Sequence, residues 1–180
     1  MTDRIQGWHF VGDKLRDGRP VPADGEVLTH DGKVIPCRSG LHGSERLIDA
    51  LKYAPGNTIC RVEAWGDVLR EDDKFAVRNR VILWRVDGEA LLRQFAREQA
   101  LSVAHLWDMP AIVREYLGTD DETKRAAEGA ARAAAWDAAW DAARVHAGAA
   151  RDAAWAAAWD AANTRLTELV ETAHATGKGD

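Results

Sequence analysis

From Thr58 to Asp87 the chain alternates apolar and polar residues with the two-residue period of half-buried strands. In "NTICRVEAWGDVLRE", Ile59, Arg61, Glu63 and Trp65 oppose Cys60, Val62 and Ala64, and Gly66 marks a bulge or bend. In "KFAVRNRVILWRVD", Phe75, Val77, Asn79, Val81, Leu83 and Arg85 share one face. Ala76, Arg78, Arg80, Ile82, Trp84 and Val86 share the other. The two runs predict a hairpin joined through "REDDK". A second, tighter hairpin is predicted at "HDGK" (30–33), between "GEVLT" and "KVIP", from its Asp-Gly turn. Between these strand patterns, "SERLIDALKYAPG" changes to helical spacing. Leu47, Ile48 and Leu51 fall on one face, Ser44 is the expected N-cap, and Pro55-Gly56 ends the run. A short helix over 44–54 follows.

After Asp87 the helical period takes over. "EALLRQFAREQALSVAHLW" lines up Leu91, Leu92, Phe95, Ala96 and Gln99, a helix over about 88–104. "WDMPAIVREYLG" predicts another over 110–117, with Pro110 early in the first turn and Gly118 past the end. "TDDE" at 119–122 has the form of a capping box and opens a helix over 120–174. Of the 37 residues from Ala126 to Ala162, 21 are Ala, the strongest helix former. A break near Gly148 would fold this stretch into a hairpin; one long helix fits the pattern as well. The fold class is therefore α+β. A small, mainly antiparallel sheet with one short helix occupies 1–87. An all-helical region over 88–180 ends in a long Ala/Trp-rich helix or helical hairpin.

Charge sharpens the division. Residues 1–87 carry 14 Lys+Arg and 14 Asp+Glu, so the net charge of −5 lies wholly in 88–180. Nothing is basic enough for a sequence-independent grip on a phosphate backbone, so no nucleic-acid partner is expected. Two cysteines, Cys37 and Cys60, cannot build a disulfide scaffold and suit a reducing compartment. "MTDRIQGWHF" lacks the apolar run of a signal peptide, and no stretch of ~18 apolar residues would span a bilayer. The expectation is a cytoplasmic protein with no membrane partner.

Motifs of well-known chemistry are missing: no CxxC, HExxH, GxSxG, Walker loop or GxGxxG occurs. No metal site and no cofactor are expected. Arg78 and Arg80, with Arg61 and Arg85 nearby, form a basic strand face for an anion or for pairing with Glu63, Asp67 and Asp73. In "CRSGLHGSERLIDALKYAPG", Gly40 and Gly43 free the backbone around His42, and Arg38, Ser39 and Ser44 present donors at a helix start. The pairs Trp136/Trp140 and Trp155/Trp159 recur at i,i+4 and would make an apolar stripe on one helix face. A stripe of that size must be covered, by this chain or by a partner.

"CRSGLHGSERLIDALKYAPG", followed by "CRVEAWGDV" and "DKFAVRNRVIL", resembles an uncharacterised domain common in bacteriophages, prophages and actinobacterial genomes. Its members share a C-x-S-G-(F/L)-H motif and often an Ala/Trp/Asp-rich helical tail. The resemblance implies a phage or prophage setting, in the host cytosol. A weaker similarity, to the ADP-ribosyltransferase fold, rests on "GWHF", "SGLHGSERLIDALKY" and "CRVEAWGDV" in that order. It implies His9 as a contact to the nicotinamide ribose and Tyr53 as the aromatic against nicotinamide. The catalytic Glu of that family has no counterpart in 74–86, which contain no acid.

Three functions follow as expectations. The first is a non-catalytic phage accessory module whose sheet domain binds a partner or a small anionic ligand, with a helix docking on a host or phage protein or on a second copy. A counter-defence role, by inhibition or by sequestering a nucleotide signal, belongs to it. The second is an NAD-binding ADP-ribosyltransferase-like enzyme using His9, Ser39, His42 and Tyr53. The third is a structural component of a virion.

Overall fold

A computed structural model describes residues 4–102, 104–106, 111–119 and 149–177. Among these the chain divides into two compact units, Met1–Leu91 with Asn163–Asp180, and Leu92–Ala162. The α+β class holds: antiparallel sheets and helices share the chain. No helix among the described residues is long and apolar enough to cross a membrane.

The first unit contains two sheets. β1 (Arg4–Val11) pairs antiparallel with β4 (Thr58–Trp65) over eight residues, from Arg4↔Trp65 to Val11↔Thr58. β4 pairs antiparallel with β7 (Asn79–Asp87), and β2 (Val27–Thr29) closes the order β1-β4-β7-β2. The second sheet is β3-β6-β5, from Leu41–Gly43, Phe75–Val77 and Leu69–Arg70. Reciprocal hydrogen bonds between Trp8 and Ser44 tie β1 to the end of β3.

Four expectations about the strands are corrected. The run 74–86 is not one strand; it breaks at Arg78, so β6 and β7 enter different sheets. "REDDK" accordingly turns β5 into β6 rather than β4 into its long partner. "HDGK" forms no hairpin, because β2 pairs with β7 and only an isolated Ile35↔Ser39 bridge follows. A bulge in the β4–β7 register, between Arg61↔Trp84 and Val62↔Ile82, leaves Leu83 as the extra residue. It moves Ile82 and Trp84 to opposite faces of the sheet, although their spacing assigns them to one.

The face toward the second sheet holds the core: Ile5, Val11, Cys60, Val62, Ala64 and Ile82 pack with Leu41, Phe75 and Val77. The other face carries buried Trp8 and Phe10, with Trp84 edge-on to Trp8 at 5.6 Å. α1 spans only Leu47–Leu51 within the expected 44–54, because Ser44 is held in the bridge to Trp8 and does not cap it. Its N-cap position is Arg46, which makes no capping side-chain bond.

Helices α2 (Glu89–Ser102), α3 (Ala111–Thr119) and α4 (Ala149–Ala175) follow. The end of α4 belongs to the first unit, where Leu166, Val170 and Ala173 are buried at helical spacing. His174 stacks flat on Trp84, at 4.0 Å and 6°. In the second unit Val113 is buried with Ala104 and Leu117 against it. The start of the long helix at 120 and the break near Gly148 lie outside the described residues.

Candidate functional site

The two sheets leave a cleft of about 890 Å³ in the first unit. Its walls come from β1, from the turn-rich stretch after it, from the segment leading into β3, and from the ends of α1 and β7. Of the residues singled out in the sequence, His9, Arg38, Ser39, His42, Ser44, Tyr53 and Arg80 all line it.

Arg80 is the least ordinary of them. It is 3% exposed, on the inner face of β7 opposite Ala64. Its Nη1 donates to the main-chain carbonyl of His42, while Nε is buried with no partner. Among the described residues no carboxylate pairs with it. Burial lowers its pKa to about 10. An uncompensated buried cation is costly, because desolvation is not repaid by an opposite charge.

The two nearest imidazoles are held toward the neutral form. His9, half-buried on β1, is pushed well below its ordinary range by burial first, then by the charge of Arg80 and by His42. His42 on β3 is lowered by burial, then by Arg16, Arg80 and Lys74. Its Nε2 is buried without a partner. Gly40 makes room for this arrangement: at φ +118 it occupies a conformation that side chains rarely adopt, against Val34 and the Val77 carbonyl.

Around this buried end the wall is polar. Ser39 Oγ and His30 Nε2 share a hydrogen bond at 2.8 Å. Tyr53 donates its hydroxyl proton to Asp73 at 2.8 Å and accepts from Lys74 Nζ at 3.0 Å. Lys74 also reaches Glu71, and the bond to Tyr53 is the largest cause of its raised pKa. Cys37 stands exposed at the mouth, within 3.7 Å of Glu71. Among the described residues the one carboxylate on the cleft, Asp17, is exposed and bound by Arg19.

Sequence reasoning missed Lys14, Arg16, Arg19, His30 and Lys74, all on the cleft. The first three sit in "GDKLRDGRP", whose Gly and Pro content marks a turn but whose repeated basic residues were the available signal. Arg78 is the reverse case. It pairs with Asp67 through Nε at 2.8 Å and donates Nη1 to the His30 carbonyl, away from the cleft. Arg78 and Arg80 therefore form no common basic face. Arg85 likewise pairs with Asp24, and Glu63 with Arg4.

Outside the first unit, Trp155 is 71% exposed with its ring stacked on Trp159 at 6.3 Å. Trp136 and Trp140 lie outside the described residues. Among the described residues no three His, Cys, Asp or Glu side chains are grouped to hold a metal ion.

The family model for a domain of unknown function (DUF7666) matches residues 5–94, half of the 180-residue chain. Every cleft residue falls within that span. No curated protein and no solved structure matches the chain.

Proposed function

Starting from a chain that belongs to the family described as a domain of unknown function (DUF7666), we propose that its family domain is a non-catalytic binding module for a small anionic ligand. The observation that carries this reading is Arg80, a buried cation on the cleft with no carboxylate partner among the described residues. Lys14, Arg16 and Arg38 line the same cleft, also without ion pairs among the described residues, so its charge is strongly positive. A bound anion supplies the missing counter-charge and converts a costly site into a charge-assisted one.

The resemblance to phage and prophage domains supports a counter-defence form of this reading, in which the cleft sequesters a nucleotide-type signal. Exposed Trp155 supports a partner-docking or self-associating role for α4.

Calorimetric titration with mononucleotides, a dinucleotide and sulfate tests the binding reading. Binding at about 10 µM to 1 mM by at least one phosphorylated compound is expected, and Arg80→Met removes it. Failure of every anion to bind more tightly than about 10 mM overturns it.

A second reading, an NAD-binding ADP-ribosyltransferase-like enzyme, is favoured by His9 and Tyr53 lining one cleft. It requires nicotinamide release from NAD by the intact chain, lost in His9→Ala; unaltered NAD after prolonged incubation removes it.

A further inference from the structure

The geometry points to one specific seat in the cleft: where Arg80 meets His9 and His42, a dianionic tetrahedral group such as a terminal phosphate binds and draws protons onto the two imidazoles. This rests on the anion-binding reading and goes further, by fixing the charge of the group and its chemical consequence.

Three strands from both sheets converge there, β1 with His9, β7 with Arg80 and β3 with His42. Two polar atoms at this point, Arg80 Nε and His42 Nε2, are shut from solvent and lack partners. A buried polar group left without a partner is costly, so two of them beside one cleft mark a vacancy in a hydrogen-bonding scheme. Guanidinium N–H groups are donors only, and an imidazole becomes a donor at both nitrogens when protonated. The group that satisfies all of them is rich in acceptors.

Charge sets how many negative units it carries. His42 faces Arg16 from the stretch after β1, Lys74 from before β6, and Arg80. Lys74 is already shared with Glu71 and Asp73. Arg16 and Arg80 have no carboxylate partner among the described residues. Of the cations that face His42, these two are uncommitted, and they match a dianion. His9 faces Arg80 and His42, with the thiol of Cys60 directly across on β4. That thiol is pushed up to about 11 by burial and stays neutral. Asp17, the cleft's carboxylate, is engaged by Arg19.

In the free protein, burial and the neighbouring cations keep both imidazoles neutral. A dianion reverses the dominant Coulomb effect, and each imidazole then gains by taking a proton from solvent. Binding therefore tightens as pH falls. Sulfate is the clean probe, because it keeps two charges at every pH of interest while phosphate itself titrates.

The test is an NMR titration of the imidazole signals of the intact chain, with and without saturating sulfate, inorganic phosphate or acetate. Sulfate and phosphate are expected to raise the His9 and His42 midpoints by about one pH unit, tenfold in proton affinity, while acetate leaves them in place. Calorimetry of sulfate in two buffers of different ionisation heat is expected to show net proton uptake near pH 6.5. Exposed Arg16→Ser, which need not disturb the core, is expected to weaken sulfate severalfold; Arg80→Met abolishes the midpoint shift. If sulfate binds and both midpoints stay put, or if acetate shifts them equally, the seat is overturned and the broader anion-binding reading stands. If neither dianion binds while a nucleotide does, the seat is likewise wrong. If no anion binds at all, both readings fall.

Discussion

Asn163 Oδ1 accepts a hydrogen bond from the main-chain N–H of Ile48 at 3.1 Å, across 115 positions of sequence. The cap that α1 lacks locally thus comes from the far end of the chain, on α4. Asn163→Ala is expected to cost about 1 kcal/mol of stability in urea unfolding, the usual price of a lost cap. Ser44→Ala should cost less. A larger loss from Ser44→Ala would mean that Ser44 is the true cap.

Arg80→Met is expected to leave the ligand-free protein as stable as its parent, or more so. The depressed pKa of about 10 against 12.5 corresponds to about 3 kcal/mol of unfavourable charge burial. The variant relieves that and forfeits the bond to the His42 carbonyl, worth about 1.5–3 kcal/mol. A fall of several kcal/mol in urea unfolding would show that the cation is compensated after all.

Stability should fall on acidification through the histidine range. His9 and His42 have folded pKa values below the unfolded value, so the unfolded chain binds more protons. Their contribution is complete above the unfolded pKa of about 6.5 and is lost as pH drops from there toward the folded values. Urea midpoints at pH 7.5 and 5.5 test this; saturating sulfate should shrink the difference. A midpoint independent of pH over that range contradicts it.

Gly43→Ala should destabilise by about 1–3 kcal/mol, the range for overpacking. Its Cβ would lie 2.5 Å from the Phe75 ring and 3.2 Å from the Trp8 carbonyl. Thermal unfolding reads the loss, and an unchanged midpoint would mean that the ring moves aside freely.

A maleimide reagent should label Cys37 and spare Cys60 in the native protein. Cys37 is exposed, whereas Cys60 is fully buried with its pKa pushed up to about 11. Two equivalents of rapid labelling would contradict this placement.

Long periodic stretches were legible in the sequence: β4 follows its alternation, β7 is a strand where one is predicted, and α2 and α3 lie close to where helical spacing puts them. The second sheet was not, because β3 and β5 have three and two residues, too few to show a period. Nor does the alternation pause at Arg78, where the chain changes sheets, or register the bulge at Leu83. Most candidate cleft residues were found because a glycine-flanked histidine stands out. Arg16 and Lys74 were not, since a basic side chain in a turn reads as solvated until the fold closes around it. The cap from Asn163 is a purely tertiary event and leaves no local trace.

At Arg78, a single residue joins β6 of the second sheet to β7 of the first. Its N–H donates to the Gly66 carbonyl, its carbonyl accepts from His30, and its side chain holds Asp67. The two sheets are thus joined at a pinned corner, which cannot open without breaking those bonds. The angle between the sheets at that corner is therefore fixed by the chain itself, before anything binds.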